Sequence, residues 1–469
     1  MDWLDPLDAA MITADVISNP LNIGAVLLIS PPPDAGPGYI DDIYQDSLVG
    51  EAPIDPRFRR YPHRGMTSAG GWVWREVDAV DLRQHCKRST LAPGAGRAGL
   101  WQLIGELHAQ AFDRSRPMWL SYLIDGLDDG QFALYIKLHH TVMDGVAGLQ
   151  MLTAVLSADS RQRSMPAFYA DRRAEPDERS TGKGPRIANP LTLLRSAVAT
   201  ATSGVVLAER AIAGGAATAL AGLTSDTTVL PVAAPYVRFN GRLGRDRDVT
   251  AGSWPKARFQ TLAKIADTTT NDVVTAVIAG VLRQWLLDHG ELPQRSLVAI
   301  CPITVHGRQL VQSEQRGNMF GAWLCPLGTD VVDPVERLDL IHRSMYEGKH
   351  HVATRGAAAS MLLLATSIVP TVLLPMLPWS PRIGAGYNLP ISHVPGPQTE
   401  MYWNGAHVDE IYPISTVYDG QALNVTTCSY ADRIGFGYIA GGEMFSDIAE
   451  LIARTEQALM ELEAAVGVT

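Results

Sequence analysis

The run Leu138-His139-His140-Thr141-Val142-Met143-Asp144-Gly145 sets two adjacent histidines, an aspartate and a glycine at the end of an apolar stretch. Histidine suits proton transfer near neutral pH. Its ordinary pKa of about 6.5 lets it take a proton from an alcohol and return it to a leaving group. A nearby carboxylate can hold the ring and fix its tautomer. The same residues also have a plainer reading, with hydrogen-bonded core histidines and Asp144 as a helix N-cap.

The elements around the pair constrain it. Phe132-Ala133-Leu134-Tyr135-Ile136-Lys137-Leu138 has the composition of a largely buried strand and is entered from a turn at Leu127-Asp128-Asp129-Gly130. Successive strand side chains point to opposite faces, so His139 and His140 cannot aim at one substrate atom unless the strand has already broken. One is therefore expected to be catalytic and the other structural. After Gly145 the apolar residues Val146, Leu149, Leu152, Val155 and Leu156 recur at helical spacing, which places Asp144-Gly145 where strand gives way to helix.

His-His-x-x-x-Asp-Gly resembles the signature of acyltransferases with the chloramphenicol acetyltransferase-like fold. Further segments resemble the bacterial wax ester synthase/acyl-CoA:diacylglycerol acyltransferase family along nearly the whole chain. They are Leu4-Asp5-Pro6-Leu7-Asp8-Ala9-Ala10, Asp113-Arg114-Ser115-Arg116-Pro117-Met118-Trp119, Thr270-Asn271-Asp272-Val273-Val274, Gly317-Asn318-Met319, Ser392-His393-Val394-Pro395-Gly396-Pro397, and Leu423-Asn424-Val425 with Ser429-Tyr430. Two departures stand out. Pro20-Leu21-Asn22-Ile23-Gly24 replaces the family's Pro-Met-His-Val-Gly-like string, and His393 stands where an asparagine is common.

The resemblance implies an α/β fold of two chloramphenicol acetyltransferase-like sandwich domains with the active-site channel between them. It implies acyl transfer from acyl-CoA to a lipid hydroxyl, with His140 as the base, His139 packing behind the strand and Asp144 orienting the motif. Acyl-CoA would be a substrate, with no separate cofactor. Gly145 would keep the channel free of a side chain. Asn271 is the implied oxyanion donor, although Thr270, Asn271 and Asp272 precede a helical run and any of them suits an N-cap. Substrate contacts are implied for Asn318, Pro395 and Gly396, and Ser392 to Pro397 reads equally as a rigid structural turn. Asn424 lies opposite in phase to Leu423 and Val425, so it faces either the channel or a sheet neighbour. The abundance of Arg over Lys, with much Ala and Gly, resembles proteins of high-GC actinobacteria. There the family implies triacylglycerol storage, so diacylglycerol is preferred to a fatty alcohol as acceptor.

Two rivals are weighed against this. Metal-dependent hydrolysis through His139, His140 and Asp144 is disfavoured, because the histidines diverge and no second compact ligand set accompanies them. A noncatalytic lipid-binding or droplet-coating protein is supported by the apolar run Gly356 to Trp379 and opposed by the intact motif.

Composition bounds the rest. Hydrophobic residues make up 46% of 469, enough for two substantial cores, and the net charge of -10 argues against a nucleic-acid binder. Arg238, Arg242, Arg245 and Arg247, interrupted by Asp246 and Asp248, read as a salt-bridged connection or as a contact for coenzyme A phosphates. Cys86, Cys301, Cys325 and Cys428 are scattered and read as reduced core residues. The first residues lack a secretory signal, so a cytoplasmic protein is expected, with peripheral contact at a membrane or lipid droplet. Gly356 to Trp379 is long enough to span a bilayer, but Pro370, Pro375 and Pro378 would break a spanning helix. It reads as a broken helical segment that docks on lipid, walls an acyl tunnel or simply packs in a core.

The expected organisation is an N-terminal domain over 1–157, a polar linker and Ala-rich crossover helix over 158–235, and a C-terminal domain over 236–469. An exposed linker is expected from Ser157 to Pro185 and a crossover helix from Asn189 to Leu223. Strands are expected at Asn22 to Ile29, Leu297 to Ile303 and Phe320 to Leu327, a hairpin around Ala431-Asp432-Arg433, and an amphipathic helix at the end of the chain.

Overall fold

The computed structural model describes residues 2–17, 19–49, 53–68, 70–128, 130–171, 234–303, 321–355, 386–442, 444–445 and 447–468. Asn318, the expected crossover helix and Gly356 to Trp379 lie outside the described residues.

Among the described residues, two six-stranded sheets carry the fold. The first comprises β2 (Asn22–Ser30), β5 (Cys86–Thr90), β6 (Trp119–Asp125), β7 (Phe132–His139), β12 (Met401–Trp403) and β13 (Ala406–Ile414), in the order β12-β13-β2-β7-β6-β5. The second comprises β8 (Arg247–Pro255), β9 (Val298–Ile303), β10 (Gly321–Pro326), β11 (Leu389–Pro395), β14 (Leu423–Tyr430) and β15 (Arg433–Gly441), in the order β10-β9-β11-β14-β15-β8. A small third sheet joins β1 (Asp2–Trp3), β3 (Arg60–Arg64) and β4 (Trp72–Glu76). The helices are α1 (Pro6–Ile17), α2 (Tyr39–Leu48), α3 (Leu82–His85), α4 (Gly96–Ala109), α5 (Gly145–Thr153), α6 (Lys256–Ile265), α7 (Thr270–Asp288), α8 (Pro334–Arg355) and α9 (Glu450–Val466).

Every residue of β7 is buried, as expected of a strand covered on both faces. Phe132, Leu134, Ile136 and Leu138 join the core beside α5, while Ala133 and Tyr135 join the core beneath α4. In the second half, α7 is buried along most of its length and packs against α6, α8 and α9 over the sheet.

The expected C-terminal unit 236–469 does not keep to one sheet. After β11 the chain leaves the second sheet, and β13 adds antiparallel to β2 in the first, from His407 opposite Ser30 to Ile414 opposite Gly24. The free edge of β2 offers unpaired backbone groups, and a distant strand satisfies them. The expected linker also begins inside a core. Phe168, Tyr169 and Ala170 are buried, and the first two rings pack on Trp119. Ser392 to Pro395 is strand rather than turn, because β11 pairs in parallel with β14 from Ile391 opposite Val425 to Pro395 opposite Ser429.

The sheets meet by close backbone approach. A Cβ on Gly435 would stand 2.5 Å from the Ile411 carbonyl oxygen, and one on Gly437 would stand 2.0 Å from that of Pro413, so β15 crosses β13 at glycines. Gly105 of α4 likewise meets the Arg247 carbonyl oxygen of β8.

Candidate active site

The motif loop sits at this junction. Leu138, Met143 and Leu149 share one core with Val394, Cys428 and Tyr430 of the second sheet, and α5 packs against β11.

His139 ends β7, opposite Asn22, and is fully buried. Its Nδ1 accepts the Thr141 N–H at 3.2 Å and lies 2.8 Å from the Thr141 hydroxyl. That arrangement leaves the ring hydrogen on Nε2, which faces Asp15 Oδ1 at 3.5 Å, the edge of hydrogen-bond range. Nδ1 is thus engaged by Thr141, while Nε2 makes no hydrogen bond among the described residues and faces the Asp15 carboxylate.

His140 begins the turn after the strand and is half-buried, its N–H bonded to the Leu21 carbonyl at 3.0 Å. Its buried Nδ1 has no other residue as a hydrogen-bond partner among those described, and its own carbonyl stands beside it. Burial, reinforced by His139, holds the imidazole pKa below its ordinary value, while Asp144 and the residue's own carbonyl pull the other way. The ring therefore stays neutral near pH 7 and can accept a proton.

Asp144 caps α5, its Oδ1 accepting the Ala147 N–H at 2.7 Å. No arginine pairs with it among the described residues, and its charge raises the His140 pKa. Gly145 is exposed, and a Cβ there would meet no described protein atom within 4 Å. Among the described residues, the space beside Gly145 is open.

On the opposing half, the N-cap of α7 is Thr269, outside the expected set. Its hydroxyl accepts the Asp272 N–H at 3.2 Å, and Asp272 Oδ2 accepts the Thr269 N–H at 3.0 Å. A neighbouring pair therefore does the capping, and Asn271, half-buried in the first turn, has an amide with no hydrogen-bond partner among the described residues. His342 Nδ1 braces Asp272 at 2.7 Å. No direct hydrogen bond joins Asn271 to His140.

Other expected site residues are structural in their contacts. Gly396 donates its N–H to the Ser429 carbonyl at 2.9 Å, and a Cβ there would stand 2.5 Å from that oxygen. Pro395 is exposed at the end of β11. Asn424 is buried, donates to the Thr416 carbonyl at 3.1 Å and accepts the Thr426 hydroxyl at 2.9 Å, so it satisfies its neighbours. Arg247 is buried on Asn19, Gly244 and Asp246, and Arg238 pairs with Glu291, which removes both from a phosphate cluster. All four cysteines are free and buried. Asp15 is absent from the sequence motifs, and Arg114 and Thr141 lie within them without an assigned role. Of these only Thr141, a hydroxyl two residues from His139, carries a local signal.

Solved structures give the class to which this fold belongs. The first condensation domain of the calcium-dependent antibiotic synthetase matches 99% of this chain and 96% of its own at TM-score 0.57 and 15% identity, a likeness of fold alone. The architecture is the two-part α/β fold of chloramphenicol acetyltransferase-like proteins. Wax ester synthase/diacylglycerol acyltransferase from Marinobacter aquaeolei VT8 is closer, at TM-score 0.75 and 28% identity over 100% of both chains. The wax ester synthase/diacylglycerol acyltransferase catalytic domain matches residues 4–274, and the C-terminal domain of the same family matches residues 316–463. A putative diacylglycerol O-acyltransferase of Mycobacterium tuberculosis is 36% identical over 98% of this chain and 90% of its own. A probable diacylglycerol O-acyltransferase of the same species is 32% identical over 100% of both chains. The chain belongs to the wax ester synthase/diacylglycerol acyltransferase family and is an acyltransferase.

Proposed function

We propose that this protein transfers a long-chain acyl group from acyl-CoA to the hydroxyl of diacylglycerol, forming triacylglycerol and free coenzyme A. One observation carries the chemistry. At the junction of the two sheets His140 leaves its ring uncommitted to any other described residue, while His139 is enclosed beside Thr141 and Asp15.

The Nδ1 of His140 bears the ring hydrogen beside its own carbonyl, leaving the Nε2 lone pair for the acceptor hydroxyl. As Nε2 takes that proton, the alkoxide oxygen bonds to the thioester carbonyl carbon and the carbonyl oxygen becomes an oxyanion. The Asn271 amide, left unpaired by the Thr269 and Asp272 cap, is the donor for this charge. Collapse breaks the carbon–sulfur bond, and the departing thiolate takes the proton back from His140. No covalent acyl-enzyme and no cofactor enter this sequence. The preference for diacylglycerol over a fatty alcohol is supported by the mycobacterial relatives, which are named diacylglycerol O-acyltransferases.

Both the acceptor and the product are oily, so the protein works at the surface of a membrane or lipid droplet as a peripheral visitor. No helix among the described residues is long and apolar enough to cross a membrane.

The test pairs a variant with a competition. His140→Ala should lower transfer of labelled acyl groups about a hundred- to ten-thousandfold, to a small measurable residual rate, while leaving the thermal melt intact, and wild-type activity in that variant would overturn the mechanism. Offered separately to the pure enzyme, diacylglycerol should be acylated faster than hexadecanol, and the opposite ranking would replace the acceptor.

A further inference from the structure

Behind the base, one carboxylate ties three segments together. Asp15 lies on α1, outside both large sheets, with its side chain only 5% exposed. Its Oδ1 accepts the Leu21 N–H at 3.2 Å and faces His139 Nε2 at 3.5 Å, while Oδ2 accepts Arg114 Nη1 at 2.7 Å. Two routes run from it to the same residue. Through the side chain, the Asp15 carboxylate faces the His139 ring at 3.5 Å, an electrostatic contact rather than a hydrogen bond, and His139 Nδ1 fixes the Thr141 N–H and hydroxyl on the far side of His140. Through the backbone, Asp15 holds Leu21, whose carbonyl accepts the His140 N–H at 3.0 Å.

We propose that Asp15, held in place by Arg114, is a positioning residue for acyl transfer, setting through His139 and Leu21 the direction in which His140 presents its ring. The inference rests on His140 being the base. The strand ladder ends at His139, so the turn that aims His140 is not fixed by the sheet. A backbone bond from the Val142 N–H to the His139 carbonyl at 2.9 Å closes the turn, and the imidazole on one side and the Leu21 carbonyl on the other, both leading back to the same carboxylate, set its direction. Burial alone would favour the neutral acid, but contacts with His139, the Leu21 amide and Arg114 hold the Asp15 carboxyl below its ordinary value, so the clamp remains charged. Errors of about 1 Å in the placement of a catalytic group cost on the order of a hundredfold in rate, which sets the scale of the effect.

Asp15→Asn preserves shape and removes the charge. Its kcat should fall roughly ten- to a hundredfold while KM for acyl-CoA changes less than about twofold, with an unaltered circular dichroism spectrum. Asp15→Glu, which keeps the charge, should recover most of the rate. Because Asp15 acts through His140, adding Asp15→Asn to His140→Ala should leave the residual rate unchanged, a non-additivity that a purely structural role would not produce. Arg114→Ala provides a second route should Asp15→Asn fold poorly, and should lower kcat severalfold. Wild-type kcat in Asp15→Asn or in Arg114→Ala, a loss confined to KM, or equal losses with and without His140 would each overturn the proposal. Wild-type activity in His140→Ala would instead remove the base assignment on which it stands.

Discussion

At the residue scale, adjacent histidines with identical chemistry stand in very different surroundings. His139 is closed in by Thr141 and Asp15, and His140 turns out of the strand with a ring nitrogen left to its own carbonyl. Burial disfavours the imidazolium of His140, so its base form persists to lower pH than that of a free histidine. The acid limb of kcat/KM should therefore fall below pH 6.5, as read from initial rates over a pH series, and a limb at or above that value would contradict the assignment. Removing the proposed oxyanion donor in Asn271→Ala should lower kcat by about a hundred- to a thousandfold with little change in the melt. His393, which replaces the more common asparagine, spans Thr427 at 2.8 Å and Ser429 at 3.0 Å, and burial pushes its pKa down to about 4. It is a neutral brace between β11 and β14.

At the element scale, α4 is held from below by polar side chains of two strands. Lys137 donates to the Leu107 and Gln110 carbonyls, Asn22 donates to those of His108 and Gln110, and His108 bridges the Tyr135 hydroxyl and the Asn22 carbonyl. These carbonyls end the helix and would otherwise be buried without partners. Burial lowers the His108 pKa to about 3, against about 6.5 in the unfolded chain. Its contribution to stability is complete above pH 6.5 and is lost as pH falls towards 3, because the unfolded state takes the proton first. His108→Gln should flatten the dependence of melting temperature on pH across that interval, and an unchanged slope would assign the acid sensitivity elsewhere. At the end of β11, Gly396→Ala should cost about 1 to 3 kcal/mol in urea denaturation, because the added methyl meets the Ser429 carbonyl rather than a flexible side chain.

At the scale of the whole molecule, the two halves are joined by backbone as much as by side chains. β13 reaches from the second half into the first sheet, and β15 lies against it through Gly435 and Gly437. Glu410 adds polar links, pairing with Arg97 of α4 at 2.7 Å and accepting the Ser253 hydroxyl of β8 at 3.1 Å. Since the motif loop lies at this junction, Gly437→Ala should lower both stability and kcat. The expected loss is about 1 to 3 kcal/mol in urea denaturation, and a normal melt with full activity would show that the crossing tolerates separation.

Local pattern was enough for the strand that ends at the histidines, the helix that follows them, the hairpin at Ala431-Asp432 and the terminal helix, because periodicity and turn residues act over a few neighbours. That the two histidine side chains diverge was also legible, and the structure buries His139 at the strand end while His140 stands half-buried in the turn. Other features depended on partners distant in sequence. Asp15 meets His139 only through the fold, β13 joins β2 because that edge needs a strand, and Asn424 turns to Thr416 and Thr426 rather than to open space. Sequence by itself determined which residues are able to do the chemistry. Tertiary structure decided which of them is free to do it, because hydrogen bonding and burial commit a side chain only once its distant neighbours arrive.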